Sequence, residues 1–377
     1  MAAWVVENKG GPRRVVVTKD LPGTRWREIL AAAGCEVHVC RSRETLEAAE
    51  VERAIGERCD GAIGQLTEAW DAGLFEALRR AGGRVYSNYA VGFDNVKVAE
   101  ATARGIAVGN TPLVLTETTA EMAVALTFAA ARRVTEAEEH LRSGKFQGWL
   151  PDLFLGKRLH GSTLGVVGVG RIGEAYARMM APAHHMDLLY FDERRNLELE
   201  SFFKEVSPVM ARRSRRAIAC TMAESLDDLL ERADVVSIHV PLLPATRHLI
   251  NRERLARMKP NAVLVNTSRG PVIDEGALVE HLKAHPDFRA GLDVFENEPR
   301  LAPGLTDCRN AVIVPHIASA TVWTREGMAT LAASNVAGIL MGFPVAKKLQ
   351  VEEFLAGPIP RKAASILNAA ELGLGVE

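Results

Sequence analysis

Three polar side chains that could together reduce a carbonyl follow apolar runs in this chain: Arg269 in Asn266-Thr267-Ser268-Arg269-Gly270, Glu298 in Glu296-Asn297-Glu298-Pro299, and His316 in Pro315-His316-Ile317. Carbonyl reduction needs a hydride on carbon and a proton on oxygen. An imidazole titrates near neutrality and is suited to deliver that proton. A carboxylate beside it stabilises the imidazolium form. A guanidinium grips a carboxylate bidentately and polarises the adjacent carbonyl as charge grows on its oxygen. The set matches a small 2-keto acid substrate. Each residue also has a plainer reading. A histidine after a strand is often a satisfied structural residue, Arg269 has Asp274 and Glu275 within reach in sequence, and Glu298 sits in a polar, proline-containing loop.

A hydride needs a donor, and the stretch Thr163–Gly173 reads as the place to bind one. Thr163-Leu164-Gly165-Val166-Val167 is a buried strand running into Gly168-x-Gly170-x-x-Gly173. Ile172, Ala175, Tyr176, Met179 and Met180 then repeat at the spacing of one helical face. Gly168 permits the turn, Gly170 lets a pyrophosphate approach, and Gly173 lets helix pack on strand. With Arg171 and Ile172 they open a helix whose N–H groups and dipole hold phosphate. A second apolar run, Leu188-Leu189-Tyr190-Phe191, ends in Asp192, where an acid should meet the ribose hydroxyls of NAD. A capping or turn aspartate is the plainer reading of Asp192. Its charge favours NADH, while Arg194 and Arg195 behind it could cradle the extra phosphate of NADPH.

The chain has 377 residues, enough for two domains, and 46 basic against 47 acidic side chains. A near-zero balance gives no global attraction to nucleic acid or to an anionic membrane. The basic run Arg212-Arg213-Ser214-Arg215-Arg216 lacks interleaved aromatics and reads as a solvated insertion. Five cysteines, odd in number and without a Cys-x-x-Cys, read as reduced thiols and not as metal ligands. No apolar run approaches membrane-spanning length, and the first fourteen residues carry no signal-peptide core.

From Arg14 to Val108 short apolar strands alternate with amphipathic helices, which indicates an α/β domain. Thr118-x-x-Glu121 resembles a capping box, with one helix expected from there to about Arg142. A loop containing Phe146, Trp149, Leu150, Leu153, Phe154 and Leu155 follows and is too apolar to stay free. Such an arm docks on its own domain or on a second subunit. Later strands end in polar residues, and in an open parallel sheet ligands sit beyond the carboxyl ends of the strands. From Trp323 to about Met341 a helix leads back out, and the tail from Gly342 returns to the first domain. The expected fold is two Rossmann-like doubly wound parallel-sheet domains with a cleft between them. The substrate domain takes 1–112 and 325–377, and the dinucleotide domain takes 113–324 with an arm at about 141–160.

The blocks Gly168-x-Gly170-x-x-Gly173, Thr267-Ser268-Arg269-Gly270-Pro271-Val272-Ile273-Asp274, Gly291-Leu292-Asp293-Val294-Phe295-Glu296-Asn297-Glu298-Pro299 and Pro315-His316-Ile317-Ala318-Ser319 resemble the signatures of D-2-hydroxyacid dehydrogenases. Ser87–Asn95, Gly109–Pro112 with Leu115–Glu121, and Trp323–Thr330 resemble the plant-type NADH-dependent hydroxypyruvate reductases among them. The resemblance runs essentially end to end. It implies that Arg269 is the substrate arginine, Glu298 the histidine's partner and His316 the proton donor. It further implies that Asp293 holds the nicotinamide carboxamide, that Thr118 lies by the cofactor, and that amides near Val91 and Gly92 grip the substrate carboxylate. Trp149 resembles an arm tryptophan that borders a neighbouring subunit's active site, a purely structural role being the alternative; a homodimer is expected. The implied activity is NADH-dependent reduction of hydroxypyruvate to D-glycerate, as in photorespiratory metabolism, with glyoxylate secondary. The alternatives are a glyoxylate-preferring or other D-2-hydroxyacid dehydrogenase, or an NAD-binding corepressor-like scaffold. Plant peroxisomal members end in Ser-Lys-Leu, whereas this sequence ends Gly375-Val376-Glu377. The expectation is a soluble protein of a reducing compartment, in an organelle matrix (mitochondrion or peroxisome) or the cytoplasm, without import by that tripeptide.

Overall fold

The computed structural model describes residues 4–214 and 216–377, the side chains of Arg213 and Ser214 excepted. The chain folds as two compact units, one built from the residues up to Leu115 together with Ala320–Glu377, the other from Thr116–Ser319. The crossovers fall a few residues from positions 112 and 324. Val114 packs under Gly327 in the first unit, and the long returning helix begins at Val322, its N-terminus capped by Thr321.

In the first unit six strands are described: β1 (Trp4–Glu7), β2 (Arg13–Val17), β3 (Cys35–Cys40), β4 (Gly61–Gly64), β5 (Val85–Asn88) and β6 (Ala107–Gly109). Their order is β1-β3-β2-β4-β5-β6. All pairs are parallel except β1 with β3. β1 is an antiparallel edge that the alternation starting at Arg14 did not announce. The tail after Gly342 folds onto this unit: Ile366 bridges Gly109, and Asn368 Oδ1 accepts the Val108 N–H at 2.8 Å.

In the second unit seven strands are described: β7 (Thr163–Val167), β8 (Asp187–Phe191), β9 (Cys220–Met222), β10 (Val235–Ile238), β11 (Val263–Asn266), β12 (Arg289–Leu292) and β13 (Ala311–Ile313). Their order is β13-β12-β11-β10-β7-β8-β9, with all neighbours parallel. The sheet is covered on both faces, so its strands read as continuous apolar runs. Side chains still alternate. Leu164, Val166, Val235, Val263 and Val265 join one core with Leu126, Tyr176 and Met180. Val167, Val236 and Leu264 join the other with Leu230, Leu278 and Phe288. Each such side chain, fully buried, contributes roughly 1.5–3 kcal/mol. The strand order reverses between β7 and β10, and at that point an α/β sheet opens its ligand crevice.

One local expectation is corrected. The helix expected from Thr118 to Arg142 is two helices, Thr116–Ala131 and Val134–Arg142. The break is at Arg133, in the left-handed region at φ 57°. The arm causes it: Lys157 N–H donates to the Ala131 carbonyl at 2.8 Å, taking the acceptor that a continuing helix would need. The helix begins at Thr116, so Thr118 sits within its first turn and is not its cap. The basic run read as a solvated insertion begins at the end of the helix Leu197–Ser214. Leu199 and Phe203 are buried in the core shared with Tyr176, while Arg212 is exposed. Arg215 lies outside the described residues.

Candidate active site

The glycine-rich loop forms where β7 meets the helix Arg171–Met180. Gly168 lies at φ +87°, and a Cβ there would come within 2.8 Å of Val240 Cγ1. A Cβ on Gly173 would overlap the Gly168 carbonyl oxygen, so helix and strand approach as closely as two backbones can. At Gly170 an added Cβ would meet nothing within 4 Å, and Gly170 and Arg171 are both exposed. Ile172 is half-buried. An unobstructed helix N-terminus of this kind fits a pyrophosphate. Asp192 follows β8, and its Oδ2 accepts the Val169 N–H at 2.8 Å. Thr118 is half-buried.

The three chemistry-bearing side chains come from three neighbouring strand ends. After β11, Asn266 folds the loop by donating to the Arg269 carbonyl at 2.9 Å and accepting from Ser268 N–H at 3.0 Å. Arg269 Nη1 donates to the Ser268 carbonyl at 2.8 Å. Gly270 then packs so tightly on the Phe295 backbone that a Cβ would overlap it, which brings the Arg269 loop against the Glu298 loop. Asp274 and Glu275, the alternative partners of Arg269, are engaged elsewhere. Asp274 caps the helix Glu275–Ala284 through Ala277 N–H at 2.9 Å, and Glu275 accepts from Glu296 N–H at 2.9 Å.

Glu298 Oε1 accepts the Phe295 N–H at 3.0 Å, and its Oε2 lies 2.9 Å from His316 Nδ1. Burial pushes the Glu298 carboxyl up, but the hydrogen bond and charge of His316, the Phe295 N–H and the Arg269 guanidinium together pull it below the usual carboxylate range. It is therefore ionised at neutral pH. Nδ1 facing Glu298 leaves Nε2 as the nitrogen directed to a reactant. The side chains of His316 and Glu298 are 32% and 36% exposed, so the pair is reachable.

His316 adopts φ 51°, uncommon for a non-glycine residue and costing of order 1 kcal/mol. Asp293 offsets this. Its carbonyl accepts the His316 N–H at 2.9 Å, and its carboxylate accepts Ile317 N–H at 2.6 Å and Ala318 N–H at 3.0 Å. Asp293 has no exposed surface. The structure thus places it as the anchor of the histidine loop. Burial raises the Asp293 carboxyl, against the opposing pull of the Ile317 N–H and His316.

In the first unit the carbonyls of three consecutive residues are taken. Ala90 accepts from Thr111 N–H at 2.8 Å, Val91 from Asn110 Nδ2 at 2.9 Å, and Gly92 from Asn88 Nδ2 at 2.9 Å. A trans peptide points its N–H opposite to its carbonyl, so the N–H groups of Val91, Gly92 and Phe93 are held facing away from those donors. The arm divides. Phe154 lies under the Arg133 guanidinium at 5.1 Å, whereas Phe146, Trp149, Leu150 and Leu155 are exposed, Trp149 by 84%.

Asn266, Asn88 and Asn110 carry no chemistry and were not singled out from the sequence. Their one sequence signal is a polar residue at the end of an apolar strand. That signal says nothing about which carbonyl the amide will bind.

Comparison with known proteins fits this geometry. Residues 124–318 match the family model for "D-isomer specific 2-hydroxyacid dehydrogenase, NAD binding domain". The chain belongs to the D-2-hydroxyacid dehydrogenase family. Its second unit is the NAD-binding domain, and the protein is a dehydrogenase acting on small 2-hydroxy acids or their keto forms. It is 52% identical over 376 residues to an Arabidopsis thaliana protein named "Glycerate dehydrogenase HPR, peroxisomal", covering 98% of this chain and 97% of that one. Among solved structures, a Thermus thermophilus protein superposes with TM-score 0.79 at 38% identity, covering 94% of this chain and 99% of its own. The NADPH-dependent glyoxylate/hydroxypyruvate reductase of Sinorhizobium meliloti, in complex with NADP and malonate, gives 0.72 at 31% identity, covering 88% and 95%. No helix among the described residues of this dehydrogenase is long and apolar enough to cross a membrane.

Proposed function

We propose that this dehydrogenase reduces hydroxypyruvate to D-glycerate with NADH, and glyoxylate to glycolate more slowly. The observation that carries the reading is the His316–Glu298 pair at 2.9 Å beside the Arg269 loop, on a unit whose glycine-rich loop fits a dinucleotide. It is supported by 52% identity to a named glycerate dehydrogenase. In this proposal NADH, when bound, supplies the hydride to the carbonyl carbon. His316 gives the proton from Nε2 to the carbonyl oxygen. Glu298 keeps the imidazole charged until that transfer, and Arg269 pairs with the substrate carboxylate and draws electron density from the carbonyl. The N–H groups at Val91 and Gly92 are assigned to the same carboxylate. Asp293 is assigned to holding the His316 loop and, as the resemblance implies, the nicotinamide carboxamide.

For the cofactor, the N–H groups from Gly170 to Gly173, with Arg171 and Ile172, are assigned to the pyrophosphate, Asp192 to the adenosine ribose and Thr118 to the nicotinamide side. NADH is preferred because a carboxylate at Asp192 repels a 2′-phosphate. Trp149 and its apolar neighbours are assigned to the interface of a homodimer, which accounts for their exposure in a single chain. In the proposal the enzyme works in a reducing compartment, matrix or cytoplasm.

The test is steady-state oxidation of NADH and NADPH with hydroxypyruvate, glyoxylate and pyruvate, run beside His316→Ala. Turnover fastest with hydroxypyruvate and NADH, lost in the variant while NADH binding persists, is the expected result. Faster turnover with glyoxylate moves the substrate assignment, and NADH binding without turnover identifies a scaffold.

A further inference from the structure

The loop after β8 contains a second arrangement bearing on which dinucleotide is taken. Arg195, three residues after Asp192, makes a two-pronged contact with Glu200. Nη2 lies 2.6 Å from Oε2 and Nε lies 3.1 Å from Oε1. Glu200 stands on the first turn of the helix Leu197–Ser214 and also accepts the Tyr190 hydroxyl at 2.6 Å. Asn196 ties the same loop to the glycine-rich turn, its Nδ2 donating to the Val169 carbonyl and to Glu174 Oε2, both at 2.9 Å. Val169 is therefore held through its N–H by Asp192 and through its carbonyl by Asn196.

The burial of the two partners is unequal. The Glu200 side chain is 8% exposed and that of Arg195 is 64% exposed. If Arg195 swung out to meet a ligand phosphate, Glu200 would be left a nearly buried carboxylate without its cation, and that desolvated charge opposes the motion. Arg195 alone, on the surface, would be held weakly. Glu200 and Tyr190 make the hold firm.

We propose that Tyr190 and Glu200 form a latch that withholds Arg195 from the ribose side of the dinucleotide. Refusal of a 2′-phosphate then rests on two elements: repulsion by Asp192, and removal of Arg195, one of the two guanidiniums beside Asp192 that would otherwise receive the phosphate. The inference rests on the assigned preference for NADH. Glu200 is a positioning residue here and touches no reacting group.

The experiment is fluorescence titration of NADH and NADPH binding, without substrate, for the wild type and for Asp192→Ser, Asp192→Ser/Glu200→Gln, Asp192→Ser/Arg195→Ala and the triple variant. Glu200→Gln keeps the side-chain shape and the Tyr190 acceptor while removing the charge that holds Arg195. Adding it to Asp192→Ser should strengthen NADPH binding about tenfold, the scale of one newly made charge-assisted contact. NADH binding should stay within about twofold on the same scale. Adding Arg195→Ala to Asp192→Ser should change neither affinity, and adding it to the double variant should cancel the gain. Two results overturn the latch: NADPH affinity unchanged by Glu200→Gln, or NADPH affinity lowered by Arg195→Ala in the Asp192→Ser background, which would mean Arg195 already reaches the phosphate. Wild-type protein binding NADPH as tightly as NADH overturns the underlying preference instead, and that result is read before any variant is compared.

Discussion

Glu298→Gln separates the charge of the His316 partner from its shape. Gln can still accept the Phe295 N–H through its oxygen, as Glu298 Oε1 does at 3.0 Å. Its amide nitrogen must then take the place of Oε2, which lies 2.9 Å from His316 Nδ1. Two donors would face each other whenever the imidazole is protonated, so the variant favours neutral His316 with its proton on Nε2. The native pair is about one-third exposed on each side, so its attraction must be discounted for solvent and is worth about 1 kcal/mol. That corresponds to about a fivefold factor in an equilibrium or rate constant. Reduction draws its proton from the imidazole, so weakening the charged form lowers kcat/KM. The assay is NADH oxidation with hydroxypyruvate at neutral pH, with NADH binding measured in parallel. The expected outcome is a loss of about fivefold in kcat/KM with unchanged NADH affinity. An unchanged kcat/KM would show that Glu298 does not govern the proton donor. The stability linkage has its own sign. Glu298 is depressed in the folded chain, so its contribution is present above the ordinary carboxylate value and is lost as pH falls through the folded one. Glu298→Gln should therefore lower Tm at neutral pH and narrow its difference from wild type in acid.

Asp293→Asn should be more destabilising, because one of the two amides at Ile317 and Ala318 would face an NH2 group. A loss of about 2–3 kcal/mol, read as a lower Tm together with a lower kcat, is expected, and an unchanged Tm would show that the anchor is dispensable. Gly170→Ala and Gly173→Ala should part company. The first adds a Cβ where nothing lies within 4 Å, so the fold keeps its Tm while NADH binding weakens by at least about tenfold, the loss of a close backbone approach. The second overlaps the Gly168 carbonyl and should cost about 1–3 kcal/mol as helix and strand are forced apart; equal Tm for the two variants would refute this account of the turn. Trp149→Ala removes a side chain that is 84% exposed. It should leave the folding of the single chain intact and shift sedimentation toward monomer at low concentration, whereas an unaltered oligomer would move the interface elsewhere.

Much of this chain could be read without coordinates because the readable features are local. A buried parallel strand must be apolar throughout. The turn after β7 needs glycine at Gly168 for its positive φ and at Gly173 for its contact, and an acid at Asp192 follows from the length of one strand–helix–strand unit. Those constraints act within about thirty residues, so sequence carries them. Arg269, Glu298 and His316 were legible as strand-end residues of the right chemistry. Residue types alone did not exclude their structural alternatives.

Tertiary structure decided the rest, because each remaining feature depends on a carbonyl or carboxylate finding a partner distant in sequence. The helix after Thr116 stops at Ala131 because Lys157 takes its carbonyl. Asp293 became a loop anchor because both its oxygens meet the amides that follow His316. Whether Arg195 can serve a phosphate depends on Glu200, which a helix places beneath it. Sequence determined which groups this dehydrogenase has and which elements carry them. Packing determined which groups were left with somewhere to point, because a buried polar atom binds the nearest partner that the fold brings to it.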